Sequence, residues 1–385
     1  MKQTRNQFPF KASPNFPDQR SARIELDFKM TPKPLNSHLR PESLSKVVAI
    51  MTSARAGSGF MSSLLDFHPN IVTTPDCILS KINLFWEDRY HLQGEDLVSA
   101  FIDYYPILFD GSKGSNCPTI GVEGLPELNF NSMGENRDQT LCADVDEFRR
   151  TMLAFLPKGK CVSRRTFFQN LHLAYANAVG QEVDSEPIIS FGLHIPHPLL
   201  IRALLEDFPD AMFLNMVRDP IKMAGSTYRH RLNAGHVDID LAVRFLSQSS
   251  HSGEPIPLEN HEQWRAVRLE DLHANPKKTL NAICGWLGIP WHESLMESTF
   301  NGIKYWNVAG SIQTSGFNQD ITAEAFKSFI SPFDRWRLEL LFHDRFSAFG
   351  YYGKRSRILR KLAQWVTFPL FASPSIVIIS EPSQS

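Results

Sequence analysis

The strongest fold signal in this chain is Lys46-Val-Val-Ala-Ile-Met51, then Ser53-Ala-Arg-Ala-Gly-Ser-Gly59, then Phe60-Met-Ser-Ser-Leu-Leu-Asp-Phe67. The first segment is an apolar run typical of a buried strand, and the last has the spacing of apolar residues found in helices. The small residues between them predict a tight loop that opens the helix. Backbone N–H groups at such a helix start attract anions, and Gly57 and Gly59 let an anion approach the backbone closely.

Two further side chains of this loop suit a phosphate or sulfate group. Ser58 can donate its hydroxyl, and Arg55 supplies a fixed charge with a forked set of donors. The loop lacks the Gly-Lys-Ser/Thr ending of a Walker A motif, so a nucleoside triphosphate with magnesium is a poor ligand for it. The alternative interpretation is a plain strand–helix turn built from small residues.

Strand-like and helix-like segments alternate along the rest of the chain. Helical spacing predicts helices at 82–92, 95–108, 198–208 and 276–287, and apolar runs predict strands at 187–192, 211–217 and, more weakly, 265–269. Strands that alternate with helices predict an α/β fold of three layers, with a central parallel sheet flanked by helices. Ligands of such folds lie at the carboxyl ends of the strands.

A second candidate anion site follows the strand at 211–217. Arg218 comes at the carboxyl end of this strand, and Asp219 and Pro220 open the next helix, with the aspartate as N-cap. Ser226 lies two turns into that helix, so its hydroxyl and the arginine can converge on one anion. The alternative is that Arg218 forms a salt bridge with Asp219 or another carboxylate and Ser226 lies on the helix surface.

Composition narrows the function classes. The 385 residues carry 40 basic and 41 acidic side chains, so any anion site must be local and a nucleic-acid partner is not indicated. The five cysteines are widely spaced and show no zinc-ligand pattern, which predicts free thiols in a reducing compartment and no metal site. A signal-peptide pattern and an apolar run of membrane-spanning length are both missing, so we expect a cytoplasmic protein.

The two ends differ in composition from the middle. Residues 1–40 are polar and rich in proline, lysine and arginine, and we expect a mobile extension there, followed by the main domain at 41–352. In 353–385 a basic run, expected to be helical, precedes an apolar segment that two prolines interrupt. Such a tail could lie peripherally on an anionic membrane surface. The alternative is a terminal helix docked on the domain.

Together these segments resemble the sulfotransferase family that uses 3′-phosphoadenosine 5′-phosphosulfate. Ala54–Phe60 is similar to the family's 5′-phosphosulfate loop, and Leu64–Pro69 is similar to the stretch that continues it in many bacterial and protein-tyrosine members. Arg218 and Ser226 have the spacing of the family's 3′-phosphate element. Val267–Leu272 resembles a third family segment. These matches run in family order from about 46 to 290, and the resemblance implies a P-loop NTPase-like fold.

The resemblance implies a donor site of eight residues: Arg55, Ala56, Gly57, Ser58, Gly59, Phe60, Arg218 and Ser226. Arg55 would contact the sulfuryl group and the bridging oxygen, and the loop with its serine and glycines would hold the 5′-phosphate. The arginine and serine of the second element would hold the 3′-phosphate. Phe60 would lie against the adenine, and its alternative is a core phenylalanine.

The chain departs from the family pattern at three places. Gly59 stands where a threonine is usual and removes one donor, and Ala56 replaces a common serine. The late glycine-rich loop of the cytosolic members is missing. Lys304, or polar groups in 310–316, are candidate substitutes at the adenosine end of the donor.

Two residues are candidates for the base that takes the acceptor's proton. His194 is followed by Pro196 near the end of a strand, and it resembles the catalytic His-x-Pro of cytosolic sulfotransferases. Asp76 stands about where protein-tyrosine members carry a catalytic glutamate. A structural histidine and a turn aspartate are the respective alternatives.

The predicted function is therefore transfer of a sulfuryl group from 3′-phosphoadenosine 5′-phosphosulfate to a hydroxyl or amine by in-line displacement. Residues 80–180 are expected to form a helical insert that binds the acceptor, which the sequence does not identify: a sugar, lipid, phenol, amine or peptide. The alternatives are a small-molecule kinase and a relative that binds the nucleotide without catalysis.

Overall fold

A computed structural model describes residues 39–52, 55–113, 130–194, 198–233, 261–309 and 312–318, with a few positions between 332 and 362. The N-terminal extension expected at 1–40 lies outside the described residues except for its last two positions. The tail expected at 353–385 also lies outside them, apart from Ile358 and Leu362, which are helical and exposed. Residues 310 and 311 of the predicted polar segment 310–316 lie outside them as well.

A five-stranded parallel sheet forms the centre of the fold. Its strands are β1 Lys46–Thr52, β2 Ile71–Thr73, β3 Ile188–His194, β4 Met212–Val217 and β5 Trp264–Arg268. Their order across the sheet is β2-β3-β1-β4-β5, and every neighbouring pair is parallel. The predicted α/β fold with a central parallel sheet is confirmed, and the chain order alternates strands with helices as the sequence indicated.

Helices cover both faces of this sheet. They are α1 Ser58–Leu65, α2 Ile82–Arg89, α3 Gly94–Tyr104, α4 Val145–Phe155, α5 Arg164–Ala178, α6 Pro198–Asp207, α7 Pro220–Asn233, α8 Leu269–Ala274 and α9 Pro276–Leu287. Two predicted helices are shorter than expected: α2 ends at Arg89 instead of 92, and α3 ends at Tyr104, with a separate 3₁₀ turn that begins at Pro106. Proline cannot continue a helix, because it lacks an N–H and clashes with the preceding turn.

The central strand β1 shows why the sheet is buried on both sides. Val47, Ala49 and Met51 face one apolar cluster, which they share with α2 to α6. Val48 and Ile50 face a second cluster, formed with α1, α7, α8 and α9. Successive side chains of a strand point to opposite faces, so a continuous apolar run requires a cover on each side. This gives the three layers.

The ends of two helices follow their sequence signals. Asp219 caps α7, because its Oδ1 accepts hydrogen bonds from the backbone N–H groups of Ile221 at 2.9 Å and Lys222 at 3.1 Å. α9 ends at Gly288, which has the left-handed φ of 73° typical of a helix C-terminus.

Two small hairpins follow α9: β6 Thr299–Phe300 with β7 Ile303–Lys304, and β8 Asn307–Ala309 with β9 Ile312–Thr314. Asp66 at the end of α1 holds the first hairpin, since its Oδ2 accepts hydrogen bonds from Thr299 Oγ1 and Gly302 N, both at 2.9 Å. In the described part of the chain, no helix has the length and apolar character needed to cross a membrane.

Candidate functional site

The loop after β1 leaves the start of α1 open. Gly57 occupies the N-cap position with a φ of 90° and has no side chain with which to cap the helix. A β carbon on Gly57 would also lie 2.5 Å from Leu269 Cδ1, so both the backbone conformation and the packing of α8 require glycine here. The first N–H groups of a helix have no partner within the helix, and they point toward the space above this loop.

Arg55 connects this loop to the second predicted element. Its Nε lies 3.4 Å from Ser226 Oγ and donates to it, and its backbone oxygen accepts a hydrogen bond from Arg218 Nη1 at 3.3 Å. Ser226 lies 171 positions away in the chain. The contact exists because β4, which precedes Arg218, lies directly beside β1. The two elements that the sequence predicts as anion sites therefore lie together at the carboxyl ends of neighbouring strands.

Arg218 and Ser226 are both buried, with exposed fractions of 4% and 6%. Burial lowers the pKa of Arg218, and the nearby charge of Arg55 lowers it further, while Glu270 opposes the shift. Glu270 is itself engaged, because it accepts hydrogen bonds from Asp219 N at 3.0 Å and from the Tyr351 hydroxyl at 2.9 Å. Two guanidinium groups near each other in a poorly solvated place favour binding of an anion between them.

An acidic side chain completes the loop site. Asp76 lies in the turn after β2 and has a left-handed φ of 48°. Burial raises the pKa of Asp76 to about 6, against the opposing effects of hydrogen bonds from Cys77 and the charge of Arg55. The carboxyl group lies beside Gly59, since a β carbon on this glycine would come within 2.8 Å of Asp76 Oδ2. The structure therefore brings Asp76 together with the loop.

Tyr305 also belongs to this cluster, although no sequence signal pointed to it. It follows β7, is buried, and has its pKa raised by burial and by the neighbouring Asp76. Burial lowers the pKa of Arg55, whereas the nearby Tyr305 and Asp76 raise it. Tyr305 lies near the loop because Asp66 holds the preceding hairpin against the end of α1. Local sequence patterns do not predict such a long-range contact.

Phe60 lies in the core rather than at an open face of the loop. Its ring is 2% exposed and stacks on His273, with centroids 4.9 Å apart and an interplanar angle of 6°. Phe317 meets the same ring edge-on at 5.4 Å. Burial and the nearby Arg218 lower the pKa of His273 to about 4, so this imidazole is neutral at neutral pH. His273 is a second neighbour of the site that sequence patterns missed.

The remaining predicted residues take positions set by β1, β3 and α1. Ser58 is the first residue of α1, and Ala56 is fully buried beneath the loop. His194 is the last residue of β3 and pairs in register with Thr52, the last residue of β1, so its backbone lies at the same edge of the sheet as the loop. Its side chain lies outside the described part of the structure.

His68, in the stretch that follows α1, has a structural role. Its ring is fully buried, its Nδ1 accepts from Asn70 N at 3.1 Å, and its Nε2 lies 3.2 Å from the Pro290 oxygen. Among the residues that the structure describes, no group of three or more histidine, cysteine, aspartate or glutamate side chains is arranged to hold a metal ion.

Comparison with known proteins identifies the family. A family model described as "Sulfotransferase family" matches residues 48–293, which is more than half of the chain. No curated protein matches the chain. Among solved structures, a sulfotransferase domain from the curacin biosynthetic pathway is 15% identical, with 77% of this chain and 96% of that chain covered and a TM-score of 0.45.

Two further solved structures are similar to this chain. A sulfotransferase domain from the Synechococcus PCC 7002 olefin synthase is 17% identical, with coverages of 77% and 94% and a TM-score of 0.43. A sulfotransferase from Alicyclobacillus acidocaldarius is 15% identical, with coverages of 77% and 95% and a TM-score of 0.34. On the match of the family model to residues 48–293, the chain belongs to the sulfotransferase family.

Proposed function

We propose that this sulfotransferase takes its sulfuryl group from 3′-phosphoadenosine 5′-phosphosulfate and transfers it to a hydroxyl or amine acceptor. The observation that carries the proposal is the contact between Arg55 and Ser226 at 3.4 Å. It joins the open start of α1 to the buried Arg218 and Ser226 pair. A nucleotide with anionic groups on both sides of one ribose suits a site with two adjacent anion-binding elements.

In this proposal the helix start and the loop hold the 5′-phosphosulfate. The N–H groups of Ser58 and Gly59 face the phosphate, with the Ser58 hydroxyl as a further donor, because α1 has no side-chain cap. Arg218 and Ser226 hold the 3′-phosphate, since a buried guanidinium pairs with phosphate through two parallel hydrogen bonds.

Transfer proceeds by in-line attack of the acceptor on sulfur. The bond from the acceptor oxygen or nitrogen to sulfur forms while the bond from sulfur to the bridging phosphate oxygen breaks. Negative charge grows on that bridging oxygen, and Arg55 and the N–H groups of the loop stabilise it. The leaving product is 3′-phosphoadenosine 5′-phosphate.

We propose Asp76 as the base that takes the acceptor's proton. Its carboxyl group lies beside the loop and near Arg55, and its pKa of about 6 is closer to neutral pH than that of an ordinary aspartate. His194 is the second candidate, because its backbone ends β3 at the same edge of the sheet. The variants Asp76→Asn and His194→Gln separate the two roles, since only loss of the true base removes the acidic limb of the rate profile.

Calorimetric titration with 3′-phosphoadenosine 5′-phosphate tests the donor site directly. We expect micromolar binding of this bisphosphate and much weaker binding of ATP, with or without magnesium. A preference for magnesium ATP would contradict the proposal and favour a kinase. Absence of binding to either nucleotide would also contradict it and would leave the chain with the family fold but no donor site.

A further inference from the structure

Neither the backbone conformation of Gly59 nor its place in a helix requires glycine. It is the second residue of α1, and its φ lies outside the left-handed range that favours glycine. Inside a helix, glycine is less stable than alanine because it loses more backbone freedom on folding. The remaining reason to exclude a side chain at position 59 is close approach of another group, either the anion itself or a neighbouring side chain.

The Asp76 carboxyl group makes such a close approach. A β carbon on Gly59 would lie 2.8 Å from Asp76 Oδ2 and 3.2 Å from both Cγ and Oδ1. All three carboxyl heavy atoms lie over the face of Gly59, so a methyl group there and this carboxyl position exclude each other. The carboxyl group would have to turn away.

The backbone of Asp76 is packed closely against β3. Its carbonyl oxygen packs on β3, where a β carbon on Gly192 would come within 2.4 Å of it. Its φ of 48° is sparsely populated by residues other than glycine, and positions of this kind persist only where the surrounding structure fixes them. Two glycines from two elements thus surround Asp76, one under its carboxyl group and one under its carbonyl.

We infer that Gly59 is a positioning residue, which by having no side chain seats the Asp76 carboxyl group at the start of α1 beside Arg55. The inference rests on the proposed function for its catalytic meaning, because the seated carboxyl group is the proposed base. The groups that face it are Arg55 from the loop, Tyr305 from the segment after β7, and Cys77 from its own turn. A side chain at position 59 would move the base out of the site without changing the base itself.

The buried position of the Asp76 carboxyl group has a measurable effect on the stability of the fold. Burial raises the pKa of Asp76 from 3.8 to about 6. A carboxyl group with a raised pKa in the folded state binds a proton more tightly there than in the unfolded chain. Its contribution to stability is therefore lost as pH rises through the window between these values. Above about pH 6, the seated and ionised carboxylate lowers the melting temperature relative to a neutral asparagine.

A double-mutant cycle tests whether Gly59 positions the Asp76 carboxyl group. The melting temperature is measured at about pH 5 and about pH 8. In the wild-type background, Asp76→Asn should raise the melting temperature more at the higher pH than at the lower. In the Gly59→Ala background the carboxyl group is turned out toward water, and at least half of this pH-dependent gain should disappear. An equal gain in both backgrounds would overturn the inference.

Gly285→Ala is the matched control for the added methyl group. Gly285 is an exposed glycine inside α9, and a β carbon there meets no atom within 4 Å. The pH-dependent gain from Asp76→Asn should keep its full size in this background. If Gly285→Ala reduced the pH-dependent gain as much as Gly59→Ala does, the inference would also be overturned. The effect would then come from adding a methyl group to any helical glycine.

Binding of 3′-phosphoadenosine 5′-phosphate separates this inference from the proposed function. At about pH 8, the seated carboxylate repels the 5′-phosphate, so Asp76→Asn should bind the product severalfold more tightly than wild type, and Gly59→Ala should remove this difference. Comparison between variants at one pH is needed because phosphate groups titrate near pH 6 themselves. A wild type that binds no product would refute the donor assignment, while the thermal cycle would still decide whether Gly59 seats Asp76.

Discussion

Replacing Arg218 with alanine should weaken binding of 3′-phosphoadenosine 5′-phosphate and should do so through the 3′-phosphate. The side chain is only 4% exposed and follows β4 directly, where Ser226 lies within reach of the same anion. Glu270 keeps its hydrogen bonds to Asp219 N and the Tyr351 hydroxyl in the variant, so it is not left without partners. The expected loss is therefore mainly that of the phosphate contact.

The magnitude follows from the kind of bond that is lost. A hydrogen bond to a charged group contributes about 1.5–3 kcal/mol, and about 1.4 kcal/mol corresponds to a tenfold change in affinity. Arg218→Ala should therefore raise the dissociation constant of the bisphosphate about 10- to 150-fold. Arg218→Lys keeps the charge but not the forked geometry and should give an intermediate value.

The assay is calorimetric titration of wild type and variants with two ligands, the bisphosphate and adenosine 5′-monophosphate. Wild type should prefer the bisphosphate, and Arg218→Ala should lose most of that preference, because the ligands differ only in the 3′-phosphate. Arg150→Ala, on the exposed side of α4, is the matched control and should bind as wild type does. Equal weakening of both ligands by Arg218→Ala would refute the assignment of Arg218 to the 3′-phosphate.

Three further outcomes are expected. Arg55→Ala should lower kcat by about 10²–10³-fold while weakening product binding much less, because its charge acts on the transition state; equal effects on both would contradict this role. Gly57→Ala should lower the free energy of unfolding by about 1–3 kcal/mol in urea titration, since its φ is 90° and Leu269 blocks a β carbon; unchanged stability would refute the packing argument. His68→Ala should destabilise the fold by about 1–3 kcal/mol and leave the preference for the bisphosphate over the monophosphate intact; a lost preference would place His68 in the site.

Local sequence patterns predicted most of the elements that build the site. The apolar run of β1, the small residues of the loop, the capping Asp219 and the terminating Gly288 are all short-range signals, because each depends on neighbours within a few positions. The alternation of strands and helices predicted the parallel sheet for the same reason. The end of α3 before Pro106 was not predicted. It follows from the proline, which lacks a backbone N–H and cannot continue the helix.

The candidate site residues also differ in whether local sequence patterns could predict them. Arg55, Ser58, Arg218 and Ser226 could be proposed because they stand at fixed offsets from predicted strand ends. Tyr305 and His273 could not, since each reaches the site through packing of segments far apart in the chain. Phe60 fits both an adenine contact and the core by its sequence alone, and the structure places its ring on His273.

Sequence patterns thus predicted a strand–loop–helix unit with an open helix start, a second arginine–serine element, and an alternating α/β order. That these two elements lie together became evident in the folded chain alone, because their meeting depends on β4 lying beside β1 in the sheet. The tertiary structure also decided that Gly59 lies against Asp76, which comes from the turn after β2 and packs on β3. Strand order and loop packing arise from contacts between residues far apart in the chain. Sequence patterns reflect only the conformational preferences of residues that are close neighbours in the chain.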